Sequence, residues 1–241
     1  MTMEKLTKRD VLMLASSTGD ASNCDLSGAD LTGMELLGLR FDGSNLKGAN
    51  LSSANLSGSS FRNCDLSGCD LSSANFTGAL FTRANLEKSD LTFSTFVGAD
   101  FSEANLTGAN FTNSKISAAR FLKADLTHAN LQMTDAGMIA CAGAVMFGIH
   151  ARGSSLIGAD LSGCDLRGAN LQGTDLSVAN LESADLREAD ILDATFTAAD
   201  LTNADLRNVR ISRTDLTRAK LKNVKYDEAL KELISRYDRS T

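Results

Sequence analysis

The sequence predicts a repeat solenoid that winds twenty residues into each coil, and three observations predict it. An apolar residue returns at every fifth position, as in Leu161, Leu166, Leu171, Leu176, Leu181 and Leu186. Something small sits two residues before each of these: Ala159, Cys164, Ala169, Thr174, Ala179 and Ala184. Sorting the apolar centres by twenty keeps like with like. Phe41, Phe61, Phe81, Phe101 and Phe121 fall in one column, and Leu26, Leu46, Leu66, Leu86, Leu106 and Leu126 in another. A beat of five matches neither the helical period nor the strand period. Self-similarity at a fixed period is the mark of a repeat architecture. The beat runs from Leu26 to Leu221, falters at Ala136, Cys141, Met146 and Ala151, and is back in phase at Leu156.

The tandem Ala-(Asp/Asn)-Leu-X-X unit resembles that of the pentapeptide-repeat proteins, over about residues 22–225. The resemblance implies an all-β fold, a right-handed quadrilateral parallel β-helix with four pentapeptides per square coil and about ten coils. On this reading the centre and the residue two before it point inward. The residues flanking the centre, usually Asp or Asn before and Ser or Thr after, point outward because side chains alternate along a strand. Gly, Asn or Ser in the last place suits the tight corner. Coils stacked at the parallel-strand spacing would make a rod about 48 Å long.

Each end of such a rod needs a cap over its apolar interior. Residues 1–21 are expected to form an N-terminal helical cap. In "TKRDVLMLASS", Thr7 and Asp10 have capping-box spacing, and Val11, Leu12 and Leu14 are expected to lie over the first coil. Residues 226–241 are expected to form a C-terminal helix with an apolar stripe of Tyr226, Ala229, Leu230, Leu233, Ile234 and Tyr237. The stripe reads as a lid. It also reads as a homodimer contact through Leu230, Leu233, Ile234 and Tyr237, since some members of the family associate through a C-terminal element.

The coil 135–155 is the main departure from the repeat. Ile139 and Ile149 fill small slots while the centres shrink to Cys141 and Ala151, an exchange that conserves interior volume. Outward places carry Ala140, Val145 and Phe147. With Leu122, Met133, Met138 and Ile157 nearby, the expected partner-binding residues are Leu122, Met133, Met138, Val145, Phe147 and Ile157, because gathered exposed apolar groups mark interaction sites. The competing expectation is a bulge that hides them.

Composition narrows the function classes. The 241 residues are 43% hydrophobic and include no proline. That absence suggests that nearly every backbone N–H is needed as a donor. With 30 acidic against 24 basic residues the net charge is -6, which argues against direct nucleic-acid binding. The N-terminus lacks the apolar core of a signal peptide, and no run reaches membrane-span length, so a cytoplasmic protein is expected. Cys24, Cys64, Cys69 and Cys164 occupy small inward slots and Cys141 a centre, so all five are expected to be buried small hydrophobes. His128 and His150 fall near one corner on adjacent coils, and two imidazoles alone do not make a zinc site. No catalytic, cofactor or metal residues are expected, and the chain is not expected to be an enzyme.

The expected function is a rigid protein–protein interaction scaffold with an unidentified protein partner. A first alternative, taken from the family, is a DNA mimic that binds type II topoisomerase (DNA gyrase) and confers quinolone resistance. A second is a secreted bacterial effector. A mimic needs uninterrupted acid along the rod, whereas Asp165, Asp185 and Asp205 each have an arginine two residues on, at Arg167, Arg187 and Arg207.

Overall fold

The computed structural model describes residues 3–238. Between Asp20 and Lys225, every backbone bridge pairs residue i with residue i+20 in parallel, as in Asp20↔Arg40, Asp25↔Asn45, Asp30↔Asn50 and Glu35↔Asn55. These four ladders make four sides, here A (from Asp20), B (from Asp25), C (from Asp30) and D (from Glu35). Twenty residues therefore complete one coil, as the column sorting predicts.

The five-residue unit follows from hydrogen bonding. At the unit centred on Leu46, the centre N–H donates to the Asp65 carbonyl of the next coil, and the Gly48 N–H donates to the Ser67 carbonyl. The Ala49 N–H closes a turn on the Leu46 carbonyl, and the Asn45 N–H reaches back to the Cys24 carbonyl. The fifth donor, the Lys47 N–H, is taken by the side-chain oxygen of Asn45 at 3.1 Å. All five N–H groups are spent, so proline fits nowhere in the unit. The aspartates and asparagines that precede each centre are there first as acceptors for a neighbouring N–H.

The corner is left-handed. Its φ runs from 53° at Val178 to 72° at Gly43. Positive φ at the third residue of an i→i+3 turn favours glycine. Several corners are nevertheless occupied by larger residues, including Phe93 (59°), Met133 (56°), Met138 (57°) and the β-branched Val178. For such a residue this conformation is a strained outlier.

The interior is continuous. Phe41, Phe61, Phe81, Phe101 and Phe121 stack along side A with centroids 4.9, 5.0, 4.8 and 5.0 Å apart and near-parallel rings. Phe76 and Phe96 stack on side D at 4.9 Å and meet the first ladder edge-on across the core. Offset stacking and T-shaped contacts are the favoured aromatic geometries. The small inward slot has a further role that smallness alone does not reveal. Where it holds a hydroxyl, the group usually donates to a centre carbonyl one coil back, as Ser44 does to Ala21 (2.8 Å), Thr134 to Phe111 (2.9 Å) and Thr174 to Ala151 (2.7 Å), whereas Ser89 donates within its own unit to Leu86. The Cys64, Cys69 and Cys164 thiols do the same to Phe41, Leu46 and Cys141 at 2.9–3.0 Å. Burial pushes these three thiols up to about 12, so they stay protonated donors.

The coil 135–155 does not bulge. Bridges continue through it at Asp135↔Ser155, Ala140↔Asp160 and Val145↔Asp165, and Ile139, Cys141, Ile149 and Ala151 are all buried. The exchange of large and small residues is accommodated inside. Cys24 departs from expectation: it is only half-buried, because it lies in the first coil, beside the cap rather than between two full coils.

The N-terminal cap is a strand and a helix rather than a helix alone. Strand β1 (Glu4–Lys5) pairs in parallel with β2 (Cys24–Asp25), extending side B by one rung and covering its edge. Helix α1 (Lys8–Ser17) starts at a capping box, with the Asp10 N–H donating to Thr7 and the Thr7 N–H donating to Asp10. Val11 is buried and Leu14 partly so, but Leu12 faces solvent at 48% exposure, since it sits on the helix flank away from the coil. At the other end, a 3-10 turn (Glu228–Leu230) leads into α2 (Lys231–Asp238). Leu230 and Ile234 are buried on the last coil, and Leu233 and Tyr237 pack half-buried beside them. Tyr226 and Ala229 are exposed because the helix starts later than expected. Leu230 and Ile234 serve as a lid, while Tyr226, Ala229 and the outer parts of Leu233 and Tyr237 face outward.

Replacing Leu106, fully buried in the leucine column, by aspartate puts an unpaired charge between stacked coils. It should cost several kcal/mol and prevent folding. Circular dichroism and thermal melting check this: a wild-type melt for Leu106→Asp would contradict the inward register.

Candidate interaction surface

Among the described residues no group of three or more His, Cys, Asp or Glu is placed to hold a metal ion, and no helix is long and apolar enough to cross a membrane. The interior is filled by Leu, Phe and Ala, so any site lies on the outer faces.

The register separates the six expected partner-binding residues. Leu122 lies on side A and is half-buried. Val145 and Phe147 lie on side B. Met133 stands at the corner between C and D, 63% exposed. Met138 stands at the corner between D and A, 69% exposed, next to Ile157 on side D. They form a broken girdle rather than one patch, because residues five apart turn a right angle around the rod.

Two parts of the girdle have internal structure. Phe147 is held between neighbours: the His128 ring meets it edge-on at 5.4 Å, and the Arg167 guanidinium lies over it at 5.6 Å. Along the D/A corner, Met138 and Val178 flank Gly158, where an added Cβ would lie 3.5 Å from Met138 Cγ and 4.0 Å from Val178 Cγ2. Met138, Ile157 and Val178 thus make a short apolar strip. The expectation omitted Val178, which is 59% exposed. The signal was present in the sequence, as a β-branched residue in a corner slot that favours glycine. Strain held at an exposed apolar position is a reason to look there for function.

Electrostatics differs on side B beyond the girdle. Arg167, Arg187 and Arg207 each clamp the aspartate two residues back, with Nη2–Oδ2 distances of 2.7, 2.6 and 2.6 Å. Arg167 and Arg187 also reach toward the aspartate of the next coil, at 3.8 Å for Arg167–Asp185 and 3.9 Å for Arg187–Asp205. Hydrogen bonds from these arginines hold the three carboxyls below the usual range. The acidic column is therefore neutralised along this stretch.

A depressed folded pKa means that the unfolded chain binds more protons below about pH 4, so this stabilisation is present above that pH and is lost as pH falls through the folded values. Melting temperature against pH should drop as acid is added below about pH 4. In Arg187→Gln the protein should start less stable at neutral pH and show a shallower acid drop. Parallel curves for the two proteins would show that the clamps carry none of the pH dependence.

Comparison with known families agrees with this geometry. A profile described as "Pentapeptide repeat region" matches residues 22–91. One described as "Pentapeptide repeats (8 copies)" matches 104–136, 144–182, 164–203 and 190–225. No curated protein matches the sequence. Among solved structures, the chain is similar to HetL from the cyanobacterium Nostoc sp. strain PCC 7120, described as a pentapeptide repeat protein involved in heterocyst differentiation regulation. That match has 26% identity and a TM-score of 0.64, covering 91% of this chain and 96% of HetL. It is also similar in fold to QnrB1, described as a plasmid-mediated fluoroquinolone resistance protein, at 23% identity and a TM-score of 0.57, covering 84% of this chain and 96% of that one. With its repeats, its square register and these matches together, the chain belongs to the pentapeptide-repeat proteins.

Proposed function

We propose that this protein is a non-enzymatic scaffold, a right-handed rod of about ten coils that presents its mid-length girdle to a protein partner. The observation that carries this reading is the outward placement of apolar groups within an undistorted coil. Met138 and Val178 occupy corner slots that elsewhere in the rod hold mostly Gly or a polar residue, and Ile157 and Phe147 occupy outward slots that elsewhere hold mostly Ser, Thr or Arg. The interior repeat explains none of them, and two of them sit in left-handed corners where a smaller residue would be less strained. HetL, described as involved in heterocyst differentiation regulation, is a rod of the same repeat with a regulatory part to play, which is in keeping with this reading.

DNA mimicry remains the second reading because a resistance protein of the QnrB1 kind shares the fold. Two features weigh against it. The arginine clamps neutralise side B, and the Asp or Asn before each centre is required by the turn, where Asn serves as well as Asp.

Met138→Asp should leave the circular dichroism spectrum and melting unchanged, and Phe147→Asp should keep the spectrum while lowering melting only slightly, since its ring gives up the His128 and Arg167 contacts. Each should deplete the partner from an affinity pull-down made in the native source. Identical captured proteins for wild type and both variants would remove the girdle from consideration. The purified protein should leave gyrase supercoiling unaffected at micromolar concentration; inhibition or protection there would instead favour mimicry.

A further inference from the structure

Side C carries a nearly continuous ladder of outer hydrogen bonds, interrupted at Arg152 and, in the last coil, at Ser212, which comes two residues after Arg210. The N–H after each centre donates to the Asp or Asn before it at Thr32, Ser52, Ser72, Thr92, Thr112, Gln132, Gln172 and Leu192. At Arg152 it does not. The residue two before Arg152 is His150, whose ring offers no carboxylate or amide oxygen to that turn. The guanidinium lacks a partner too: among the described residues Arg152 has no ion pair and no side-chain hydrogen bond. Its column neighbours in the coils before and after are Gln132 and Gln172, not acids.

On side B, Arg167, Arg187 and Arg207 show what an arginine does at the equivalent place. In each, one carboxylate accepts the backbone N–H at 3.2 Å and takes Nε and Nη2 in a fork at 2.6–2.9 Å. At Arg152 the same three donors are present and the carboxylate is missing. Arg152 lines a surface groove of about 390 Å³ together with Gln132, Met133, Gly153, Gln172, Gly173 and Asp193. Gly153 keeps the floor low: an added Cβ there would lie 2.8 Å from Met133 Sδ. The acids at its far end are already committed, Asp193 to Arg213 at 2.5 Å and Asp190 to Arg210 at 2.6 Å and to the Gln172 amide at 2.7 Å.

We infer that this groove receives a glutamate or aspartate side chain of an extended partner segment, whose carboxylate completes at Arg152 the Asp–Arg clamp that the chain closes internally elsewhere, with an adjoining apolar residue against Met133. The inference rests on the scaffold reading and names the chemistry that this corner selects. A carboxylate fits the planar fork and the backbone N–H together, and bidentate arginine pairing is the strong form of this interaction.

The test needs no cellular partner, so its failure is separable from that of the pull-down. The blocked peptides acetyl-Leu-Glu-Leu-amide and acetyl-Leu-Gln-Leu-amide, sodium acetate and sodium phosphate are titrated into isotope-labelled protein while backbone and guanidinium NMR signals are followed. The glutamate peptide should give saturable shifts centred on Arg152, Gln132 and Gln172, and should bind about tenfold more tightly than the glutamine peptide. Arg152→Gln should abolish the difference. His150→Asp should abolish it as well, by supplying the missing carboxylate in cis while leaving the arginine in place. Arg187→Gln should leave it intact. Equal binding of the two peptides, shifts spread evenly over the arginines, or persistence in His150→Asp would overturn the inference. So would acetate or phosphate binding as tightly as the glutamate peptide, which would make the groove a site for free anions.

Discussion

The structure depends on one constraint: each five-residue unit must place its backbone N–H groups, and in most units all five find an acceptor. Two go to the next coil, one to the previous coil, one to the turn, and one to the side chain before the centre. An unpaired N–H at a coil stack is costly, so the constraint dictates much of the composition. Proline is excluded, Asp or Asn recurs before the centres, and the corner takes a left-handed residue. Hydrogen bonding selects these residues before any surface function does.

The interior adds its own selection. Like side chains stack because successive coils superpose the same position, which is how the phenylalanine ladder arises on side A. Many slots holding Ser, Thr or Cys add a donor to a centre carbonyl that already accepts one N–H, as Cys64 does at Phe41 and Thr174 at Ala151. The Cys64, Cys69 and Cys164 thiols are held at this slot as protonated donors, which gives these three cysteines a structural role.

Function must then be sought where the unit's own needs do not explain a residue. By that criterion the aspartates say little, since asparagine meets the same need. The arginine clamps are partly internal, neutralising what they stand beside. Apolar groups at strained corners and an arginine without its carboxylate are different, because each departs from the unit without improving it. They lie on neighbouring coils, Met133 lining the groove of Arg152 and Met138 beginning the strip toward Val178, so one partner could engage both.

The sequence by itself determined the coil. A beat of five with columns at twenty, read with the family resemblance, indicated how the leucines are buried, and the inward Cys64, Cys69, Cys141 and Cys164, the capping box of α1 and the in-phase irregular coil were legible in it. Tertiary structure decided what the beat does not encode. Whether coil 135–155 bulged depended on whether Ile139 and Ile149 could share the interior with Cys141 and Ala151, a question of three-dimensional volume. Strand β1 was invisible because two residues carry no period, and its pairing comes only from the free edge of the first coil. Residues adjacent in the beat proved to lie on different sides of the square, so the single expected patch became a girdle. The open donors at Arg152 emerged only when side C was seen as a ladder, because a missing acceptor shows itself against neighbours twenty residues away.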